Sequence, residues 1–421
     1  MTQALDAFLT PLARLRGATV ATARGPGIGF GIATGLCISL FPFADLIFRP
    51  KLGWLQHAVN EAREASPQLA AALVTIILLV SVPILLGALK YGVEFRRAKL
   101  FVPAILPLCL AIPLSYFERG QMSDLLYCGL IYFVFGYCAV MISANLDFDA
   151  FLRGMLGVVA GVLTLAMVAV VVDGDFSWGR LMGRTAPNYW GAVAATSIYC
   201  TLAMRGWFLR LAVISLSLAI MLMAQSRGVM ASLTVSMVLL ILIYMRSGRV
   251  STWVWVFGGL VVLIAGVFGL DYLLSHVFLV DDNLRGIGSG FTGRAAAWQE
   301  TWDLFVQSPL FGVGYRRHEQ YLLSASSAHQ AYLATLAEMG IFGLVAYLFF
   351  LWGGAGRALW LAWEDPTGPR LTVAGMLTQY ATQGLTERAA LNTGSTFSLL
   401  TILLVAWAWR QEVDPPHERR S

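Results

Sequence analysis

Long apolar runs recur along the chain with short polar breaks, each close to the 20 or so residues that carry a helix across a hydrocarbon core. They fall at roughly 27–48, 68–89, 100–117, 123–143, 151–172, 187–204, 208–224, 228–245, 252–270, 330–355, 371–388 and 394–409, and predict about twelve spanning helices. One break is out of scale. About 60 residues, from Asp271 to His329, separate the ninth run from the tenth, and a loop of that length works or has structure of its own. Within it, Arg294 to Gln307 reads as a helix. Trp298, Trp302 and Phe305 share one face at i, i+4, i+7, opposite Gln299, Glu300 and Asp303, a pattern suited to a membrane interface. Ser308-Pro309 ends this helix and Gly312-Val-Gly314 turns the chain. With no internal repeat, the expectation is an all-α polytopic membrane protein: one transmembrane domain over 1–421, with a partly helical insertion at 271–329.

Composition agrees. Hydrophobic residues make up 58% of the 421 and charged residues 13%, about half the charged share of a soluble domain. With a mean hydropathy of +0.70, the bilayer has to be the solvent. The run at 27–48 lacks a small-residue cleavage site and reads as a retained first span. A net charge of +5 reflects lysine and arginine gathered in inner loops, and no zinc-finger spacing, aromatic RNA-binding box or basic helix supports nucleic acid. Placing the N-terminus in the cytoplasm puts Arg14, Arg16, Arg24, Lys90, Arg96, Arg97, Lys99, Arg153, Arg205, Arg210, Arg246, Arg249, Arg357, Arg370, Arg410, Arg419 and Arg420 inside. That is 17 of the 29 basic residues, and four of the remainder lie in the long loop, which the positive-inside rule exempts. Both termini are then cytoplasmic and the long loop is outside. The five cysteines all lie in apolar runs without metal-ligand or disulfide spacing.

Against that topology, the outward-facing arginines are unexpected. Arg180 and Arg184 precede the sixth span, Arg227 sits in the tight connection Gln225-Ser226-Arg227-Gly228, and Arg294 opens the loop helix. Singly, each reads as an arginine snorkelling to the interface. Three converging from separate segments read better as an anion site, because guanidinium forks suit phosphate. His329 lies in Ser326-Ser327-Ala328-His329-Gln330, where Ser327 and Gln330 fit a capping box that places His329 in the first turn of the tenth span. It reads either as a general base or as a plain hydrogen-bonding histidine. His57, His276 and His318 lie in outer segments without ligand-like spacing and His417 in the cytoplasmic tail; for His318, which follows Arg316-Arg317, a place near the site is the lesser reading. No metal cluster or P-loop ending is present, so neither a metal nor an ATP-driven step is implied and no cofactor is expected. Gln379, Gln383 and Glu387 repeat at four-residue spacing with Arg388 beside them, a polar stripe that lines a substrate path or locks helices together.

Four pieces, taken in order, resemble the O-antigen ligase and polymerase superfamily of bacterial envelopes. They are Ser226-Arg227-Gly228 opening a span; Gly293-Arg294 with Trp298; Pro309-Leu-Phe-Gly-Val-Gly314; and Ala328-His329-Gln330-x-Tyr332-Leu333 followed by Glu338-x-Gly340 and Gly343. They cover about 180–345, and the twelve-span layout extends the likeness. Gln330 departs from the family's usual asparagine.

The resemblance implies a GT-C-like glycosyltransferase in the bacterial inner membrane with a periplasmic active site. Its ligases transfer a preassembled glycan from undecaprenyl pyrophosphate to a sugar hydroxyl of the lipid A–core, without metal or ATP and with inversion. By position, His329 matches the family's essential histidine, Arg227 and Arg294 its arginines, and Arg184 a third. Gln383, Glu387 and Arg388 then stand along a substrate path. Ligase is preferred to the polymerase of the same superfamily because the outer loops other than the long one are short. A polysaccharide or lipid transporter is the remaining alternative, disfavoured because the ionisable residues gather at one face rather than mid-membrane.

Overall fold

The computed structural model of the chain describes residues 27–48, 67–116, 122–173, 175–177, 180–182, 187–204, 206–248, 294–324, 327–388, 390–391 and 396–411. The described residues form helices α1 (Gly27–Phe48), α2 (Pro67–Lys90), α3 (Phe101–Ser115), α4 (Met122–Ser143), α5 (Phe148–Asp173), α6 (Pro187–Ala203), α7 (Trp207–Ala224), α8 (Arg227–Arg246), α9 (Arg294–Gln307), α10 (Ala331–Glu364), α11 (Gly368–Gln383) and α12 (Thr396–Ala408). One small antiparallel hairpin, β1 (Asp175–Ser177) with β2 (Arg180–Met182), precedes α6. Helices occupy eleven of the twelve runs read as spans; the twelfth, 252–270, lies outside the described residues. Among the described residues, segments 148–172, 207–224, 227–246 and 331–364 are long and apolar enough to cross a membrane. This is an all-α membrane protein.

Its polarity is inverted relative to a soluble bundle. α7 and α8 expose Leu209, Leu211, Leu218, Leu222, Val235, Val238 and Ile241, as lipid-facing helices do. The central helices α6 and α11 are buried almost throughout and carry the polar groups instead. Thr196 Oγ1 lies 2.8 Å from Tyr380 OH, Thr372 Oγ1 donates to the Tyr199 carbonyl at 3.0 Å, and Tyr199 OH meets Ser236 Oγ. At the periphery, Gly27 and Gly31 bring α1 onto α5 so closely that a Cβ on either would run into the carbonyls of Asp147 or Phe151.

The two ends of the bundle differ. One is tied by arginines on backbone carbonyls and rings: Arg97 to Ala144 at 3.2 Å, Arg410 to Ile142 at 3.1 Å, and Arg246 over the Trp363 ring at 4.1 Å. The other gathers the α7–α8 turn, α9, the approach to α10 and the end of α11. It is braced by Tyr116 OH donating to the Tyr315 carbonyl at 2.6 Å and Tyr315 OH donating to that of Leu391 at 2.7 Å.

α10 is broken near this second end. Gly340 takes φ 64°, ψ −167°, which removes the regular helical bonds of the turn around it. The Pro309–Gly314 segment replaces them: Val313 N–H donates to the Ala337 carbonyl at 2.9 Å, Gly314 N–H to that of Glu338 at 3.0 Å, and Ile341 N–H to that of Pro309 at 2.9 Å. Two motifs separate in sequence therefore complete one backbone network, which gives the Ala337 and Glu338 carbonyls and the Ile341 N–H their partners.

Candidate functional site

α9 spans the residues expected for the loop helix, but it packs by its small side. Ala297, Thr301 and Leu304 are buried, whereas Trp302 packs against Phe305 in a tilted pair with ring centroids 5.1 Å apart and is 47% exposed. Trp298 does not share that role: its Nε1 donates to the Ala328 carbonyl at 2.8 Å. Arg294, first residue of α9, reaches across to the end of α11. Its Nη1 donates to the Thr386 carbonyl at 2.8 Å and its Nη2 to Glu387 Oε1 at 2.7 Å.

Glu387 is the hub. Oε1 also accepts from Asn188 Nδ2 at 2.5 Å, and Oε2 lies 3.2 Å from His329 Nδ1. α11 ends at Gln383, so Glu387 and Arg388 stand in a turn beyond the helix rather than inside the span predicted to 388. Thr386 and Glu387 N–H both return to the Gln383 carbonyl at 2.9 Å. Burial alone would raise the Glu387 carboxyl. The hydrogen bond from His329, and the electrostatic attraction of His329 and the Arg294 guanidinium, outweigh burial and hold it below the usual carboxylate range.

His329 does not sit where the capping-box pattern placed it. The N-cap of α10 is Gln330, extended at φ −146°, whose Oε1 accepts from Leu333 N–H at 2.6 Å. Ser327 Oγ instead accepts from the His329 N–H at 3.4 Å. His329 therefore precedes the helix by two residues and adopts φ 48°, in the left-handed region. Gln330 takes the cap because its backbone is the extended one and its amide oxygen accepts from the N–H three residues on, the bond an N-cap makes. The ring is partly exposed, with 31% of the side chain accessible. With Glu387 accepting from Nδ1–H, the basic lone pair of the imidazole is carried by Nε2.

Arg227 begins α8 and is half-buried; Ser226 before it donates from Oγ to Asn188 Oδ1 at 3.2 Å. Arg180 braces the same corner, with Nε on the Ala224 carbonyl at 2.9 Å and Nη2 3.4 Å from Asn188 Oδ1. The α7–α8 turn packs so tightly on the Glu387 segment that a Cβ on Gly228 would strike the Thr386 side chain. His329, Arg294, Glu387, Asn188 and the Arg227 turn are thus joined by direct bonds. Arg184 lies outside the described residues. Gln383 is buried and its Oε1 lies 3.3 Å from Gln379 Nε2.

Arg388 belongs to a second, buried cluster. Its Nη1 and Nη2 donate to the two oxygens of Glu338 at 2.7 and 2.6 Å, and Glu338 Oε1 also lies 2.6 Å from His318 Nδ1. His318 and Glu338 are wholly buried. Asn188 has no part in the sequence pattern, Arg180 counts there only among the outward-facing arginines, and Glu338 only within the family-like motif. Asn188 follows Pro187 at the start of a span, and Glu338 is a carboxylate inside one; those are the signals that mark them.

Residues 211–348 match the family model described as O-Antigen ligase. The matched stretch carries Arg227, Arg294, His318, His329 and Glu338, while Asn188, Glu387 and Arg388 lie outside it. The match supports the O-antigen ligase and polymerase superfamily. No curated protein matches the chain.

Proposed function

We propose that this chain is an O-antigen ligase: it transfers glycan from undecaprenyl pyrophosphate to a sugar hydroxyl of the lipid A–core, at the periplasmic face of the bacterial inner membrane. The observation that carries this reading is the Glu387 carboxylate, with His329 Nδ1 on one oxygen and Arg294 on the other. Glu387 fixes the His329 ring with Nε2 as its basic nitrogen, which is the arrangement a general base requires.

The reaction then follows from charge. The acceptor hydroxyl oxygen attacks the anomeric carbon as its proton passes to His329 Nε2, and the bond from that carbon to the pyrophosphate oxygen breaks. Attack opposite the leaving group inverts the centre. Negative charge grows on undecaprenyl pyrophosphate, where Arg227, Arg294 and Arg184 supply charge-assisted donors. A guanidinium has five N–H donors, and the Thr386 and Glu387 bonds engage Arg294 through only two of its nitrogens. The sugar–pyrophosphate bond is already activated, so general-base help and anion stabilisation account for the step without a metal or ATP. The expected topology has twelve spans in a GT-C-like arrangement with both termini cytoplasmic.

The test is transfer by purified full-length protein given lipid-linked polysaccharide and lipid A–core in detergent. Ligated lipopolysaccharide is the expected product, and His329→Ala abolishes it while the protein stays folded. Growth of the lipid-linked chain with no core modification would make the protein the polymerase of the same superfamily. No bond formation at all would favour a transporter.

A further inference from the structure

Ala328 is fully buried, and its peptide groups are held on both sides. Its carbonyl accepts from Trp298 Nε1 at 2.8 Å, and its N–H points at His318 Nε2 at 3.5 Å. The next residue is His329, in the left-handed region at φ 48°. A non-glycine residue there costs on the order of 1 kcal/mol and persists only where its surroundings hold it.

We infer that His318 is a positioning residue for His329, acting through the buried backbone of Ala328. The hydrogen-bond roles leave one arrangement. Glu338, ionised and taking both Arg388 N–H groups, is an acceptor only, so His318 Nδ1 carries the hydrogen that meets it. Nε2 is then an acceptor, and the N–H it faces is that of Ala328. The 3.4 Å approach of Arg388 Nη1 to His318 Nδ1 places two donors side by side on the same carboxylate oxygen. Glu338 itself is fixed in place because the Pro309–Gly314 segment seals the break in α10 two residues beyond it. The ring of His318 is wholly buried.

This inference rests on His329 being the base, so the test has one readout that does not depend on transfer. His318→Leu removes a ring while Arg388 still compensates Glu338; His318→Gln retains an acceptor able to reach the Ala328 N–H. Amide hydrogen exchange of the detergent-solubilised full chain is followed over 327–333 alongside steady-state transfer. In His318→Leu, exchange should rise by tenfold or more in that segment alone. kcat should fall by up to about a hundredfold, the cost of misplacing a catalytic group by roughly 1 Å, at unchanged donor KM. His318→Gln should recover both. Unchanged exchange at 327–333, or a rise spread over α9 and α10 alike, would overturn the inference by showing no role or only a packing role. If exchange responds as expected while His318→Leu and His329→Ala both transfer normally, the positioning contact stands and it is the base assignment that fails.

Discussion

Glu387 and Arg388 are consecutive in the chain, yet their side chains serve two different networks. Glu387 takes Arg294, Asn188 and His329 at a partly exposed site, while Arg388 grips Glu338 beside His318 in the interior. The turn after α11 therefore couples the His329 cluster to the buried scaffold through a single peptide bond, and a change at either residue reads out separately.

Glu387→Gln keeps the shape of the side chain but removes the charge and the acceptor-only character that fixes the His329 tautomer. A carboxamide can present N–H to Nδ1, which places the ring hydrogen on Nε2 and takes away the base. Transfer should fall by about 10²- to 10⁴-fold in kcat, the scale seen when a carboxylate that orients a histidine is made an amide. Single-turnover transfer with purified protein measures it. Activity within a few-fold of wild type would show that His329 is not held by this contact.

The same carboxylate predicts an acid limb in stability. Its folded pKa lies below the ordinary carboxyl value of about 4.3, so its contribution is fully present above that pH. As pH falls, the unfolded chain takes up the proton first, and the contribution is lost on passing through the lowered folded pKa. Thermal unfolding of detergent-solubilised wild type should weaken more steeply below about pH 4.5 than that of Glu387→Gln. The difference between the two curves isolates Glu387 from the other carboxylates. Parallel curves would mean that the Arg294 and His329 bonds do not persist in solution.

Helix positions were legible in the sequence because bilayer thickness imposes a length on every apolar run. α4, α6 and α8 each begin and end within about two residues of their predicted bounds. The ends of elements at the site were less so. Ser327 and Gln330 fit a capping box by spacing alone, and only the extended backbone of Gln330 reveals that the cap lies three residues later. Glu387 read as one rung of a helical stripe, whereas α11 stops at Gln383 and frees it to turn toward His329. The arginines and His329 were visible as chemistry stranded at a membrane boundary. The partners of Asn188 and Glu338 were not, because they lie 199 and 50 positions away in the chain.

Gly340 should tolerate no side chain. Its φ of 64° strains any L residue, and a Cβ would meet the Leu310 carbonyl, part of the segment that seals the break in α10. Gly340→Ala should destabilise the protein by at least about 2 kcal/mol, combining left-handed strain with displacement of backbone. Chemical unfolding in mixed micelles, followed by near-ultraviolet circular dichroism, measures the loss. An alanine variant as stable as wild type would mean that the break relaxes into continuous helix. In that case Val313 and Gly314 would lose their acceptors, and faster exchange of those two amides would reveal it.

Arg294→Lys separates charge from geometry. Arginine bridges the Thr386 carbonyl and Glu387 with two nitrogens of one planar fork. An ammonium offers one nitrogen on a flexible stem and cannot hold both while still presenting donors to a pyrophosphate. If Arg294 serves chiefly to bind the donor, lysine should raise the donor KM by roughly tenfold, one charge-assisted bond's worth, with a smaller change in kcat. If it acts mainly on charge growing in the transition state, kcat should fall and KM hold. Because Glu387 also relaxes when its arginine is replaced, the comparison is made in a Glu387→Gln background as well. Independent effects multiply there, whereas a shared network makes the double variant little worse than Glu387→Gln alone. The direct Arg294–Glu387 bond predicts the second outcome, and simple multiplication would place Arg294 outside the His329 network.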